Sequence, residues 1–148
     1  MKQAVYRTRT EEETIELGER LASGWSVPVT ILLIGELGAG KTTLAKGLAA
    51  GFGAARPEEV SSPTFPLIHE YGDPVAVYHV DLYRLETVQQ VEGLGLDEIF
   101  GGRAAVLLEW GERFPSILPK ERVEIRITAL PGEGESEPRS IDVREIQG

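Results

Sequence analysis

The residues Val29-Thr30-Ile31-Leu32-Leu33-Ile34 run straight into Gly35-Glu36-Leu37-Gly38-Ala39-Gly40-Lys41-Thr42-Thr43. A stretch that is apolar or β-branched throughout offers no polar face to water. Bounded by Pro28 and Gly35, it predicts a central strand covered on both sides, as in a parallel sheet. Leu44, Ala45, Leu48, Ala49 and Phe52 then recur at helical spacing, with Gly51 and Gly53 to end the run. Strand, glycine-rich turn and helix in that order predict an α/β fold.

The turn also fits the pattern G-x-x-x-x-G-K-[ST], the phosphate-binding P-loop. Its glycines let the backbone wrap a phosphate chain so that successive N–H groups point inward. The helix N-terminus adds partial positive charge, Lys41 reaches the β- and γ-phosphates, and the Thr42 hydroxyl is placed for Mg²⁺. Gly35, Glu36, Leu37, Gly38, Ala39, Gly40, Lys41, Thr42 and Thr43 are therefore the candidate nucleotide-binding residues, with the Glu36 side chain turned outward.

A triphosphate site also needs acids for the metal and for an attacking water. Two apolar runs end in one: VAVYHVD at Asp81 and AAVLLEW at Glu109. Ligands of open parallel sheets lie at the carboxyl ends of strands, so both carboxylates are expected at the phosphates. The preferred division gives Asp81 to the Mg²⁺ shell and Glu109 to orienting or deprotonating water, and the reverse is equally chemical. Between the P-loop and Asp81 lies VSSPTF, where Thr64 is the candidate sensor of the γ-phosphate. Trp110 is placed either to stack on a base or to fill core volume. Arg84, which follows Asp81 closely, could touch a phosphate, but a structural ion pair suits it better. His69 and His79, with no third ligand nearby, suit core or surface pairing better than metal binding.

The remaining chain completes an α/β reading. Lys2–Arg7 reads as a short strand. Thr10 and Glu13 make a capping box ahead of a helix that stops at Gly24. Residues 54–66, with three prolines, read as a loop. Leu67–Tyr71 and Val75–Asp81 read as strands around a Gly72-Asp73-Pro74 turn, and Glu86–Phe100 as broken helix. Ala104–Leu108 is a further strand. Arg122–Thr128 and Ser140–Ile146 alternate as a half-exposed antiparallel pair around a mobile 131–138 loop. Residues 1–148 are expected to form one P-loop NTPase domain: a mostly parallel central sheet, flanking helices and antiparallel C-terminal strands.

Charge and missing residue types narrow the function. With 24 acids against 15 bases, a net charge of −9 and no Lys/Arg cluster, the chain lacks the basic face of a protein that grips nucleic acid unaided. There is no Asn, so the N-K-x-D guanine-reading motif is excluded. The charged start, MKQAVYRTRTEEE, and the lack of a long apolar run predict a cytoplasmic protein without a secretory signal or a membrane span. A small-molecule kinase and a nucleotide-gated binding module remain alternatives to an ATPase.

GELGAGKTT, SSPTF, YHVDLYRL and LLEWGER, in this order, resemble the TsaE (YjeE) family of small bacterial P-loop ATPases. The last three motifs are the specific ones. The resemblance runs from about Thr10 to Arg113. It implies an ATPase that uses ATP and Mg²⁺ to support threonylcarbamoylation of adenosine 37 in tRNA. The implied partners are a TsaD-like threonylcarbamoyl-transferase subunit and a TsaB-like scaffold, which hold most of the tRNA. Carried over by motif, Lys41 and Thr42 bind phosphate and Mg²⁺, Thr64 belongs to the switch, and Asp81 and Glu109 are essential acids. Trp110 is then a nucleotide-site or interface residue. Turnover by the chain alone is expected to be slow, since no arginine finger is evident in the sequence.

Overall fold

The fold is built on the run that precedes the P-loop. In the computed structural model, which describes residues 2–61, 67–132, 134 and 136–147, Val29–Ile34 forms β2 at the middle of a seven-stranded mixed sheet. Five of its six residues are buried, as a strand without a polar face requires. Parallel neighbours flank it: β5 (Ala105–Glu109) on one side and β6 (Arg122–Ala129) on the other. Beyond β5 lie β4 (Val77–Asp81), also parallel, and the antiparallel edge strand β3 (Ile68–Tyr71). Beyond β6 lie β7 (Arg139–Ile146), antiparallel to β6, and β1 (Gln3–Thr8), antiparallel to β7.

The β6–β7 hairpin pairs antiparallel as its alternation predicts. What alternation cannot show is that β6 also docks parallel on β2, with Ile31 opposite Val123 and Ile34 opposite Arg126. The parallel set is thereby extended, and the hairpin is brought against the P-loop side of the sheet.

Helices cover both faces. On one, α1 (Glu11–Ser23) and α2 (Lys41–Gly51) bury Leu17, Leu44 and Leu48 against Ile31, Leu33, Leu107, Ile125 and Ile127. On the other, two short helices, α3 (Val88–Glu92) and α4 (Leu96–Phe100), cover Leu32, Val80, Val106 and Leu108 through Val91 and Leu96. Gly93 and Gly95 break this segment as the sequence predicts, and Gly95 has a φ of 73°. Thr10 caps α1 by accepting the Glu13 N–H at 3.1 Å. The Glu13 carboxylate reaches back to the Arg9 N–H instead of that of Thr10, so the box is offset by one residue. Among the described residues, no helix is long and apolar enough to cross a membrane.

Helices α1 and α2 cross with backbone against backbone. A Cβ on Gly47 would lie 2.1 Å from the Ile15 carbonyl oxygen, and one on Gly18 would lie 2.8 Å from the Leu44 carbonyl oxygen. In an exposed helix, Gly→Ala stabilises by about 1 kcal/mol. Here the clash is with main chain, which no rotamer change relieves. Gly47→Ala is therefore expected to destabilise the fold by a net ~2 kcal/mol in urea unfolding. A neutral or stabilising result would show that the crossing is looser than described.

Candidate active site

Two glycines shape the P-loop. Gly38 and Gly40 have φ of 80° and 111°, a region that L side chains enter only with strain. Gly35 is required for space, because a Cβ there would lie 2.8 Å from the Ile127 carbonyl oxygen on β6. Gly40 leads into α2 without any side-chain cap, and no acid stands in the first turn. The leading N–H groups of α2 are thus left to an external acceptor, and the positive end of the helix is not neutralised from within.

Lys41, the first residue of α2, is only 5% exposed. Its ammonium donates to the Gly35 carbonyl oxygen at 2.7 Å and lies 3.6 Å from the centroid of the Trp110 ring. Burial pushes the ammonium below its ordinary pKa, and the nearby charges of Glu109, Glu112 and Asp81 pull it back up. Among the described residues this cation has no salt bridge: one carbonyl and one aromatic face replace its water.

The two strand-end acids stand side by side, because β4 and β5 pair in parallel with Asp81 opposite Glu109. Both project from the face that α1 and α2 cover, the side on which α2 begins. The half-buried Asp81 accepts the Tyr83 N–H at 2.9 Å. Glu109 is 3% exposed, and its Oε2 lies 2.5 Å from Nε2 of the fully buried His79. The segments beyond these acids are tied together. Arg113 donates to the Tyr83 carbonyl oxygen at 2.8 Å and to that of Leu85 at 2.9 Å. Trp110, the only non-glycine residue with positive φ (66°) among those described, packs against Tyr83 with ring centroids 5.1 Å apart and planes tilted by 49°. Such a conformation costs about 1–3 kcal/mol and persists where its surroundings impose it.

These elements enclose a cleft of about 560 Å³, lined by Leu37, Gly38, Gly40, Lys41, Thr42, Thr43, Asp81, Glu109 and Trp110. That volume suits a small-molecule ligand. Gly35, Glu36 and Ala39 line a separate depression behind the loop, beside Glu112 and Arg126. Thr64 lies outside the described residues. His79, read in sequence as a core or surface pairing residue, is the partner of Glu109. Arg84 lines the cleft, with no ion pair among the described residues.

Sequence reasoning missed several lining residues. Glu11 comes from the start of α1, and Glu137 and Arg139 come from the hairpin. Arg139 packs so closely that a Cβ on Gly40 would lie 3.1 Å from its Nε. No motif marks it. Only the parallel docking of β6 on β2, with Ala129 opposite Arg139 across the hairpin, carries it to the P-loop.

A cation would find oxygen donors here, the Thr42 hydroxyl and the Asp81 and Glu109 carboxylates. Mg²⁺ prefers such a set when most of its shell comes from phosphates and water. Among the described residues, no group of three or more His, Cys, Asp or Glu is arranged so that it could hold a metal ion by itself. The donors thus suit a metal that arrives with a ligand's own oxygens better than a free-standing protein cage.

Burial raises the Asp81 pKa above its ordinary 3.8. The Tyr83 N–H opposes this, the Glu109 charge adds to it, and His79 and Lys41 lower it. A raised folded-state value means that the carboxylate costs stability at neutral pH, and that the cost disappears as both folded and unfolded forms become protonated. Asp81→Asn, which still accepts from Tyr83, is expected to raise the melting temperature of the ligand-free protein at pH 7. The gain should shrink toward zero as pH falls through the raised value to about 3.8. A lower melting temperature at pH 7, or a difference independent of pH, would contradict the sign.

Comparison with known proteins yields a consistent set. The profile of a family described as threonylcarbamoyl adenosine biosynthesis protein TsaE matches residues 8–137. The chain is 45% identical over 129 residues to a Bacillus subtilis protein named tRNA threonylcarbamoyladenosine biosynthesis protein TsaE, covering 86% of this chain and 78% of that one. A Treponema pallidum protein of the same name is 36% identical over 123 residues, covering 83% and 90%. Among solved structures, Bacillus subtilis YdiB superposes with a TM-score of 0.77 at 35% identity, covering 99% of this chain and 87% of that one.

Proposed function

The chain belongs to the TsaE family, and on that premise we propose that it is an ATP-binding and ATP-hydrolysing subunit supporting threonylcarbamoylation of adenosine 37 in tRNA. It acts through TsaD-like and TsaB-like partners as one P-loop domain spanning residues 1–148. The observation that carries the ATPase reading is the meeting of a lysine-bearing P-loop with two strand-end carboxylates in one cleft.

The roles follow from the chemistry of each group. The P-loop N–H groups and Lys41 hold the β- and γ-phosphates. Thr42 and Asp81 are the metal donors, with Glu109 beside them, and Thr64 is the sensor of the triphosphate state. When bound, Mg²⁺ neutralises charge that builds on the phosphate oxygens. Glu109 orients or deprotonates the attacking water, which needs a carboxylate held at the strand end with a free oxygen. Lys41 stabilises the γ-phosphate as charge develops on it. Arg84 and Arg139 line the same cleft, so the scarcity of arginine near the motifs no longer argues by itself for slow turnover.

The net charge of −9 supports leaving the tRNA to the partners, since phosphate neutralisation dominates such affinity. Following the label of γ-labelled ATP tests the choice of acceptor. It should leave as inorganic phosphate. Label on a small-molecule acceptor would establish a kinase, and intact ATP even beside the partners would establish a binding module.

A further inference from the structure

We propose that His79 is a positioning residue for Glu109, fixing the carboxylate so that a single oxygen is offered to the cleft; this rests on the reading of Glu109 as the group that acts on water. His79 stands opposite Leu107 on the β4–β5 ladder, one same-face step before the Asp81–Glu109 pair. Its neighbours there, Val77 on β4 and Leu107 on β5, are fully buried apolar residues. An apolar side chain would satisfy that environment. A histidine that is 0% exposed in the same row needs another reason.

The hydrogen bonding supplies it. Nε2 contacts Glu109 Oε2 at 2.5 Å, whereas Nδ1 is buried with no partner among the described residues. Among the described residues, the carboxylate is therefore the single hydrogen-bond partner of the ring. A carboxylate only accepts, so in this arrangement Nε2–H is the donor to Oε2. With Oε2 engaged from behind, Glu109 loses the freedom to rotate that a carboxylate on an apolar strand otherwise has. Oε1 is left for the cleft that Glu109 lines. Residues that orient a reacting group in this way commonly control about 10–100-fold in activity.

The test is single-turnover hydrolysis of Mg²⁺–ATP together with ATP affinity, for His79→Leu, His79→Gln, Glu109→Gln and the double variant His79→Leu/Glu109→Gln. His79→Leu should lower the hydrolysis rate by at least about 10-fold with ATP affinity within about 3-fold of the unaltered chain. His79→Gln, whose amide N–H reaches to a similar distance as Nε2–H, should recover most of the rate. Adding His79→Leu to Glu109→Gln should cost nothing further, since the effect passes through Glu109. Near-normal hydrolysis by His79→Leu beside an inactive Glu109→Gln would overturn the positioning role. So would equal losses in His79→Leu and His79→Gln. Normal hydrolysis by Glu109→Gln would instead overturn the assignment of Glu109, and the role of His79 with it. Should His79→Leu fail to fold, the ¹⁵N shifts of the imidazole in the unaltered protein decide. A protonated Nε2 supports the proposal, and a protonated Nδ1 beside a bare Nε2 overturns it.

Discussion

Lys41→Ala is expected to weaken ATP binding by at least about 100-fold, a loss of ~3 kcal/mol. Much of this cleft's attraction for an anion rests on that one ammonium. The uncapped start of α2 contributes only about 0.3–2 kcal/mol through its dipole. A charge-assisted hydrogen bond is worth about 1.5–3 kcal/mol, and an ammonium facing phosphate oxygens can form more than one. The surroundings sharpen the effect: without Lys41, Asp81 and Glu109 face the cleft with Glu112 close behind. Arg84 and Arg139 also line the cleft, but four acids, Glu11, Asp81, Glu109 and Glu137, then outnumber them. The ammonium sits between the Gly35 carbonyl oxygen and the Trp110 ring, at the wall of the cleft. Titration calorimetry with Mg²⁺–ATP measures the difference. Affinity within about 10-fold of the unaltered chain would remove Lys41 from the phosphate site.

Glu109→Gln should separate binding from chemistry. The substitution keeps the size of the side chain and an oxygen that can accept from His79, and removes only the charge and basicity. ATP should bind as tightly or slightly more tightly, since one buried negative charge is gone from a cleft that takes an anion. Hydrolysis should fall by about 10²–10⁴-fold, the range expected when a positioned general base is lost. The pair of assays distinguishes Glu109 from Asp81, which stands opposite it on the ladder. Hydrolysis that survives in Glu109→Gln and disappears in Asp81→Asn would transfer the water-activating role to Asp81.

The parts of this site written within a few consecutive residues were legible in the sequence. The P-loop is one, because its strand, glycines and helix start lie side by side in the chain. The acids at the ends of two apolar runs are another, because a parallel sheet collects strand ends on one edge. Contacts that depend on register or on a long-range return were not legible. His79 lies two residues before Asp81, yet its partner is set by the alignment of β4 with β5, which no local pattern states. Arg139 and Glu137 reach the cleft only because β6 runs parallel to β2 and β7 folds back beside it. Alternation in the two strands predicted their hairpin correctly and was silent about where it docks. Trp110 presents a third case. Either a core or a stacking role fits its place after Glu109, and its position over Lys41 follows from a left-handed backbone that the sequence does not announce.

The most direct measurement is ATP hydrolysis by the purified chain, alone and with the TsaD-like and TsaB-like proteins of the same organism. The proposed function predicts a low rate alone, a severalfold rise with the pair, and no hydrolysis at all from Lys41→Ala under either condition. A fast rate alone that the pair leaves unchanged would contradict a nucleotide cycle coupled to those partners.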